Sequence, residues 1–306
     1  MSRYMNPLKK IVNIANRLTQ HTYWFNHIVF PGCRKFWTLK EFNLKIVNLG
    51  SSSAFYGFDY SSVDNKIKAA NWALAPQTFV GDLQILRNYY SYLKNDATVI
   101  IPICPFSSLG GGDDHLSDRY YTILNIASIP HASYKKKIEV NRLFGNPILY
   151  YPIFEILNTI YRLFKKKPQT LSNNEMIRDA NNRINNWKKE FSIISFDKNL
   201  SILQKDLMQQ SERTLKEIVL FCKERNLTPV VVIPPASEIL LKQIDLNVRN
   251  VFIYSFLKNA ITNDIKVLDY FDDSDFHDSK LFRDSFLLNS KGAKLFTKKV
   301  LNDIDR

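Results

Sequence analysis

Four short apolar runs constrain this chain more than any other feature: "KIVNLG" at 45–50, "ATVIIPICP" at 97–105, "TPVVVIPP" at 228–235 and "IKVLDYF" at 265–271. Each is nearly continuous in its apolar residues and ends in turn or loop chemistry. A strand with one wet face alternates polar and apolar residues, whereas a continuous run marks a strand buried on both faces, as in a parallel sheet. "KIKAANWAL" at 66–74 is a weaker fifth candidate. Parallel strands need long crossovers, and helical spacing fills the gaps between the runs.

Residues 77–94 carry Phe79, Leu83, Leu86, Tyr90 and Leu93 on one helical face. Residues 206–225 do the same with Leu215, Ile218, Val219 and Cys222, and Asn226 is placed to close that helix. A last helix follows Asn289 or Ser290 as its cap and buries Leu295, Phe296, Val300 and Ile304. The alternation predicts an α/β sheet with right-handed crossovers.

Between about 107 and 205 the rhythm breaks. "SSLGGGDDHLSDRYY" holds three of the nine glycines and marks a sharply bent or mobile loop. A polar helix begins at "SNNE", a capping box of Ser172 and Glu175, with Ile177, Ile184, Trp187 and Phe191 along one side. This stretch reads as an insertion folding over the strand ends of a single domain. The core then lies at about 40–106 and 206–306, behind an N-terminal helical extension at 1–39.

The formal net charge of +13 favours anionic partners such as phosphorylated sugars or an acidic membrane leaflet. The basic residues are scattered in short clusters with no recognised nucleic-acid motif, so no nucleic acid is expected as partner. The three cysteines, Cys33, Cys104 and Cys222, show no CxxC and read as reduced thiols of a cytoplasmic protein. No cofactor is expected. The start, "MSRYMNPLKKIVNIANRL", lacks a signal-peptide apolar core, and Ile11, Ile14, Ala15 and Leu18 fit a short amphipathic helix. "ILYYPIFEILNTIYRLF" is interrupted by Pro152, Glu155 and Arg162 and followed by three lysines. Such a segment either lies on an anionic membrane surface or, more commonly, is buried in its own protein.

The first strong strand ends in "NLGSSSAFYGFDY", residues 48–60, where three serines follow a glycine. Ligands of open α/β sheets bind at such carboxyl ends. The bland reading is a strand-to-helix turn, since a serine hydroxyl caps free N–H groups. A nucleophilic serine needs more: a base within hydrogen-bond reach, a group orienting that base, and oxyanion donors.

The glycine-x-serine turn after the first strand, together with "DSFLLNSKGAKLFT" near the end, resembles the SGNH (GDSL-type) hydrolases, of the kind associated with bacterial surface-polysaccharide acylation. The resemblance covers roughly 40–106 and 206–306. It implies a three-layer α/β/α sandwich of flavodoxin-like, SGNH type, its mostly parallel sheet carrying an inserted helical cap. It makes Ser52 the family nucleophile, flanked by Ser51 and Ser53 as ligand contacts, and "NWALAPQ" the second block. There Asn71 would contact ligand, and Ala75 stands where the family offers a glycine N–H to the oxyanion.

The chain departs from the family at its chemistry. The last block of the family is Asp-x-x-His; here Asp284 is followed by Ser285, Phe286 and Leu287, and leucine cannot accept a proton. The third block lacks its asparagine in "CPFSSLGGG". Loss of one member of a serine–histidine pair costs about 10⁴ to 10⁶ in turnover, and loss of one oxyanion donor about another 10² to 10³. Two histidines are candidate replacements. His277 stands in "DDSDFHDSKLF" among carboxylates that could orient it, and His115 stands in the glycine-rich loop. For both, the bland reading is a solvated polar loop. The carboxylates match no metal-ligand spacing, so no metal is assigned.

Two functions follow as expectations. One is a degenerate SGNH-like protein binding a carbohydrate or acylated carbohydrate in surface-polysaccharide biosynthesis, with the positive surface meeting an anionic membrane. The other is an active esterase or O-acyltransferase with Ser52 as nucleophile, His277 as relocated base and Asp284 retained.

Overall fold

The computed structural model describes residues 7–64, 67–111, 116–164, 171–194, 196, 200–244 and 246–305. In chain order the elements used below are α1 (Pro7–Gln20), β1 (Leu44–Asn48), α2 (Ser52–Gly57), β2 (Ala69–Asn71), α3 (Phe79–Tyr89), β3 (Leu93–Pro102), α4 (Tyr134–Gly145), α5 (Ile153–Phe164), α6 (Asn173–Glu190), α7 (Ile202–Glu224), β4 (Thr228–Ile233), β5 (Lys266–Asp269) and α8 (Ser290–Ile304).

All five strands are parallel and lie in the order β2-β1-β3-β4-β5. This is the 2-1-3-4-5 order of flavodoxin-like sheets, in which the winding reverses between β1 and β3. Strand β4 shows why the apolar runs are continuous. Val230 and Val232 join a core cluster with Ile46, Ile100, Phe296 and Val300. Val231 and Ile233 project to the opposite face and are equally buried. Helices α2 and α8 pack together over the first face, while α3 packs on α7, which also lies against β4. The protein is a mixed α/β structure with helices over a parallel sheet. The weak fifth run proves to be a three-residue edge strand.

The helix ends follow the sequence signals. Asn289 accepts from the N–H groups of Lys291 and Gly292 at the start of α8, and the Ser172 N–H donates to Glu175 at the start of α6. Asn226 closes α7 with φ at 54°, in the left-handed region asparagine tolerates. Two faces differ from expectation. Leu295 is exposed, because α8 buries Ala293, Phe296, Val300 and Leu301 instead. In α6 the buried stripe is Met176, Ala180 and Ile184, and Ile177 faces water. Each is an offset of one position within the same helix.

The chain forms two compact units, drawn differently from the expected core and insertion. The sheet unit comprises 40–114 and 168–306, so α6 belongs with the sheet. The helical unit comprises 1–39 and 115–167: the N-terminal extension folds with the middle of the chain. Its core is aromatic, with Phe25 against Phe30 at 5.0 Å, Trp37 against Phe144 at 4.8 Å and Trp24 against Tyr151 at 5.3 Å. Among the described residues no helix is long and apolar enough to cross a membrane.

Candidate functional site

The serines sit at the point where the sheet order reverses. Strand β1 pairs with β3 so that Asn48 lies opposite Ile100, which brings Gly50 level with Pro102 and the serines level with the residues just past β3. Gly50 makes the turn at φ 110°, where a Cβ would stand 2.9 Å from Ala54 Cβ and 3.1 Å from Pro102 Cγ. Only glycine fits there. Its N–H donates to Asp82 Oδ1 at 2.7 Å, and its carbonyl accepts from Leu74 N at 3.0 Å.

The three serines then part company. The Ser51 hydroxyl accepts from the Gln77 backbone N–H at 3.1 Å, tying the two loops together without capping α2. Ser53 is buried, its Oγ 2.6 Å from Cys104 Sγ. Ser53, expected as a ligand contact, forms part of the wall between β1 and β3. Ser52 is half-buried, and its hydroxyl makes no hydrogen bond among the described residues.

Asn71, also expected to contact ligand, is engaged by its own chain. Its amide nitrogen reaches the carbonyls of Ala54, Phe55 and Phe58 at 3.0–3.2 Å. Its amide oxygen accepts from Asn48 Nδ2 at 3.1 Å and Ala73 N at 3.0 Å. A side chain so engaged closes α2 against β2 and leaves nothing for a ligand. Ala75 lies in the following turn, before a cis peptide bond to Pro76 and two residues short of Gln77.

The groups expected to act on Ser52 are engaged elsewhere. His277 Nε2 lies 3.1 Å from Asp272 Oδ1, and among the described residues His277 makes no hydrogen bond with Ser52. The acidic loop around it spends its carboxylates locally. Asp272 pairs with Arg249, Asp273 and Asp275 share Lys299, and Asp278 accepts from Lys280 N. Asp284 Oδ1 accepts from the N–H groups of Phe286 and Leu287 and pairs with Arg183 at 3.2 Å, while neighbouring Arg283 lies over the Tyr56 ring of α2 at 4.3 Å. Leu287 is buried in that turn. His115 lies outside the described residues.

Two residues of this site escaped the sequence reading. Asp82, in the first turn of α3, is buried and bonded to both Gly50 N and the Gln77 side chain. Burial pushes its carboxyl up to about 7, against the opposing pull of those two donors. Cys104 lies just past β3, and burial pushes its thiol up to about 11. A thiol so shifted holds about one part in 10⁴ as thiolate at pH 7 and is a poor nucleophile. Cys104 could have been found by noting that parallel neighbours end together; nothing in "FVGDLQIL" marks Asp82 as buried. Among the described residues no three acidic, histidine or cysteine side chains cluster as metal ligands would.

A scan against protein-family models finds none that matches this chain, and a search of curated proteins finds no matching relative. The site therefore stands on its geometry alone. That geometry offers a hydroxyl, Ser52, beside an arginine-covered tyrosine at the end of the sheet where ligands of this topology bind.

Proposed function

We propose that the protein is a degenerate SGNH-like protein that binds a carbohydrate or acylated carbohydrate at the carboxyl end of its sheet and serves surface-polysaccharide biosynthesis. One observation supports this reading above the others: among the described residues no basic side chain hydrogen-bonds Ser52. His277 is held by Asp272, Asp284 by its own turn and Arg183, and leucine fills the position where the resembling family carries histidine. A serine without a base within about 3 Å keeps its proton at neutral pH and serves as a hydrogen-bonding group. The polysaccharide setting comes from the family resemblance. We place the protein in the cytoplasm, peripheral to the inner membrane, where a positive surface meets lipid-linked sugars.

The test is intact-mass analysis after treatment with a fluorophosphonate, on the wild type, Ser52→Ala and His277→Ala. The expected result is no adduct on folded wild-type protein. An adduct lost in both variants would overturn the reading and install the active esterase or O-acyltransferase, with Ser52 as nucleophile and His277 as base. Calorimetric titration with acetylated oligosaccharides and sugar phosphates tests the ligand class. Binding weakened about ten-fold by Ser52→Ala is expected for loss of one hydrogen bond, and no binding across that panel would sink the carbohydrate assignment.

A further inference from the structure

We propose that the helical unit is a lipid-docking surface, and that α1 and α5 lie in the plane of an anionic membrane with their outward faces among the lipids. It deepens the peripheral location given above and is independent of what the sheet unit binds.

Both helices are turned inside out. Among the described side chains, those buried in α1 are Asn16 and Thr19, and the one buried in α5 is Glu155. Asn16 is built into its own unit, donating to Asn146 Oδ1 at 3.3 Å and accepting from Ile148 N at 3.2 Å. Facing outward are Leu8, Ile11 and Leu18 of α1 and Ile153, Phe154 and Leu157 of α5, each between 62% and 81% exposed. On α5 the apolar side chains fan out about the side opposite Glu155. A helix in contact with water buries its apolar stripe and shows its polar one. Here the unit already has an aromatic core, so the outward residues are not the remainder of a failed one. Scattered apolar residues on a surface need no explanation, but two outward helix faces of this kind do.

Charge identifies what covers them. Residues 1–39 and 115–167 hold 15 basic and 3 acidic residues, a net of +12, while the rest of the chain holds 27 and 26, a net of +1. Nearly all of the +13 therefore belongs to the unit with the outward apolar helices. A second copy of so basic a surface would repel the first. Nucleic acid would satisfy the charge but leave the leucines and isoleucines in water. An anionic bilayer meets both needs, the headgroups taking the lysines and the acyl boundary taking the apolar faces. At 1.5 Å per residue, α1 and α5 reach about 21 and 18 Å, short of the roughly 30 Å hydrocarbon core, which fits helices lying in the plane. Helix α1 packs on the turn Pro147–Leu149 that leads into α5, and Leu149 is itself exposed.

The experiment is flotation of the full-length protein with vesicles of phosphatidylcholine containing about one-third phosphatidylglycerol. The wild type is expected to float. The double variant Ile11→Glu/Leu157→Glu is expected to partition at least about 100-fold more weakly while keeping its circular-dichroism spectrum. Lys9→Ser/Lys10→Ser should weaken binding about five-fold per charge on these vesicles and leave binding to pure phosphatidylcholine unchanged. Ser52→Ala should float as the wild type does, which keeps this result separate from that of the sheet site. Wild type that stays at the bottom at low salt overturns the proposal, whether sedimentation finds a dimer through this face or a gel shift finds nucleic acid. A double variant that floats as well as the wild type overturns it too.

Discussion

The two units of this chain solve opposite problems with the same kinds of residue. In the sheet unit, valine and isoleucine fill both faces of β4 and the unit is almost neutral. In the helical unit, isoleucine and leucine line the outside of α1 and α5, asparagine, threonine and glutamate turn inward, and the net charge is +12. Hydrophobicity alone therefore does not say which way a side chain points. If the contrast is real, substitutions in the sheet unit should be felt in stability, and substitutions on the outward helices should not.

The largest effect is expected at Gly50. Alanine there must adopt φ near 110° and bring its Cβ against Ala54 and Pro102. Left-handed strain costs about 1–3 kcal/mol and overpacking about 1–3 more, so Gly50→Ala should lose about 3–5 kcal/mol in urea denaturation. A loss below about 1 kcal/mol would mean that the turn behind the serines is soft, and the sheet unit less tightly specified than the contrast requires.

Asp82 is next. Its folded value of about 7 lies above the ordinary 3.8, so the folded state holds a proton that the unfolded state releases between those two values. Its contribution is fully present below about pH 4, falls as pH rises towards 7, and is constant above. Asp82→Asn cannot ionise and removes that slope. Relative to wild type it should gain about 2–4 kcal/mol between pH 4 and pH 8, read from urea midpoints at a series of pH values. Parallel profiles would mean that Asp82 reaches water or a cation and is not a sealed part of this unit.

These two positions also mark how far the sequence could be read. The four strong strands were legible because short apolar runs bounded by turn residues mark strands. The expected burial on both faces holds along β4, whereas β5 is an edge strand with Val267 42% exposed. The strand order then follows from pairings that no local pattern announces. The serines after β1 were legible as a turn at the carboxyl end of the sheet, and their division of labour was not. Ser51, Ser52 and Ser53 are identical letters, and only the closeness of Gln77 and Cys104 assigns two of them to structure. Asn71 shows the same limit. An asparagine at a strand end fits a ligand contact or a brace equally well, and its contacts with Asn48, Ala54, Phe55, Phe58 and Ala73 are those of a brace. The periodicity of α1 predicted an amphipathic helix correctly, but periodicity carries no sign, so which face points inward was beyond it. The apolar segment at 148–164 was open between burial and a membrane surface; its described outward side chains are exposed.

The smallest expected effect is the sharpest test of the contrast. Leu157→Glu places a charge where a leucine now stands 67% exposed on α5. A leucine buried in a core and replaced in this way would cost several kcal/mol, because the charge loses its water and the cavity loses its contacts. On an exposed face the glutamate is solvated and nothing is unpacked. The unfolding free energy of the full-length protein without lipid should therefore stay within about 0.5 kcal/mol of the wild type. A loss above about 2 kcal/mol would show that Leu157 packs against its own protein in solution. The outward face of α5 would then be an ordinary core in disguise, and the two units would obey one rule after all.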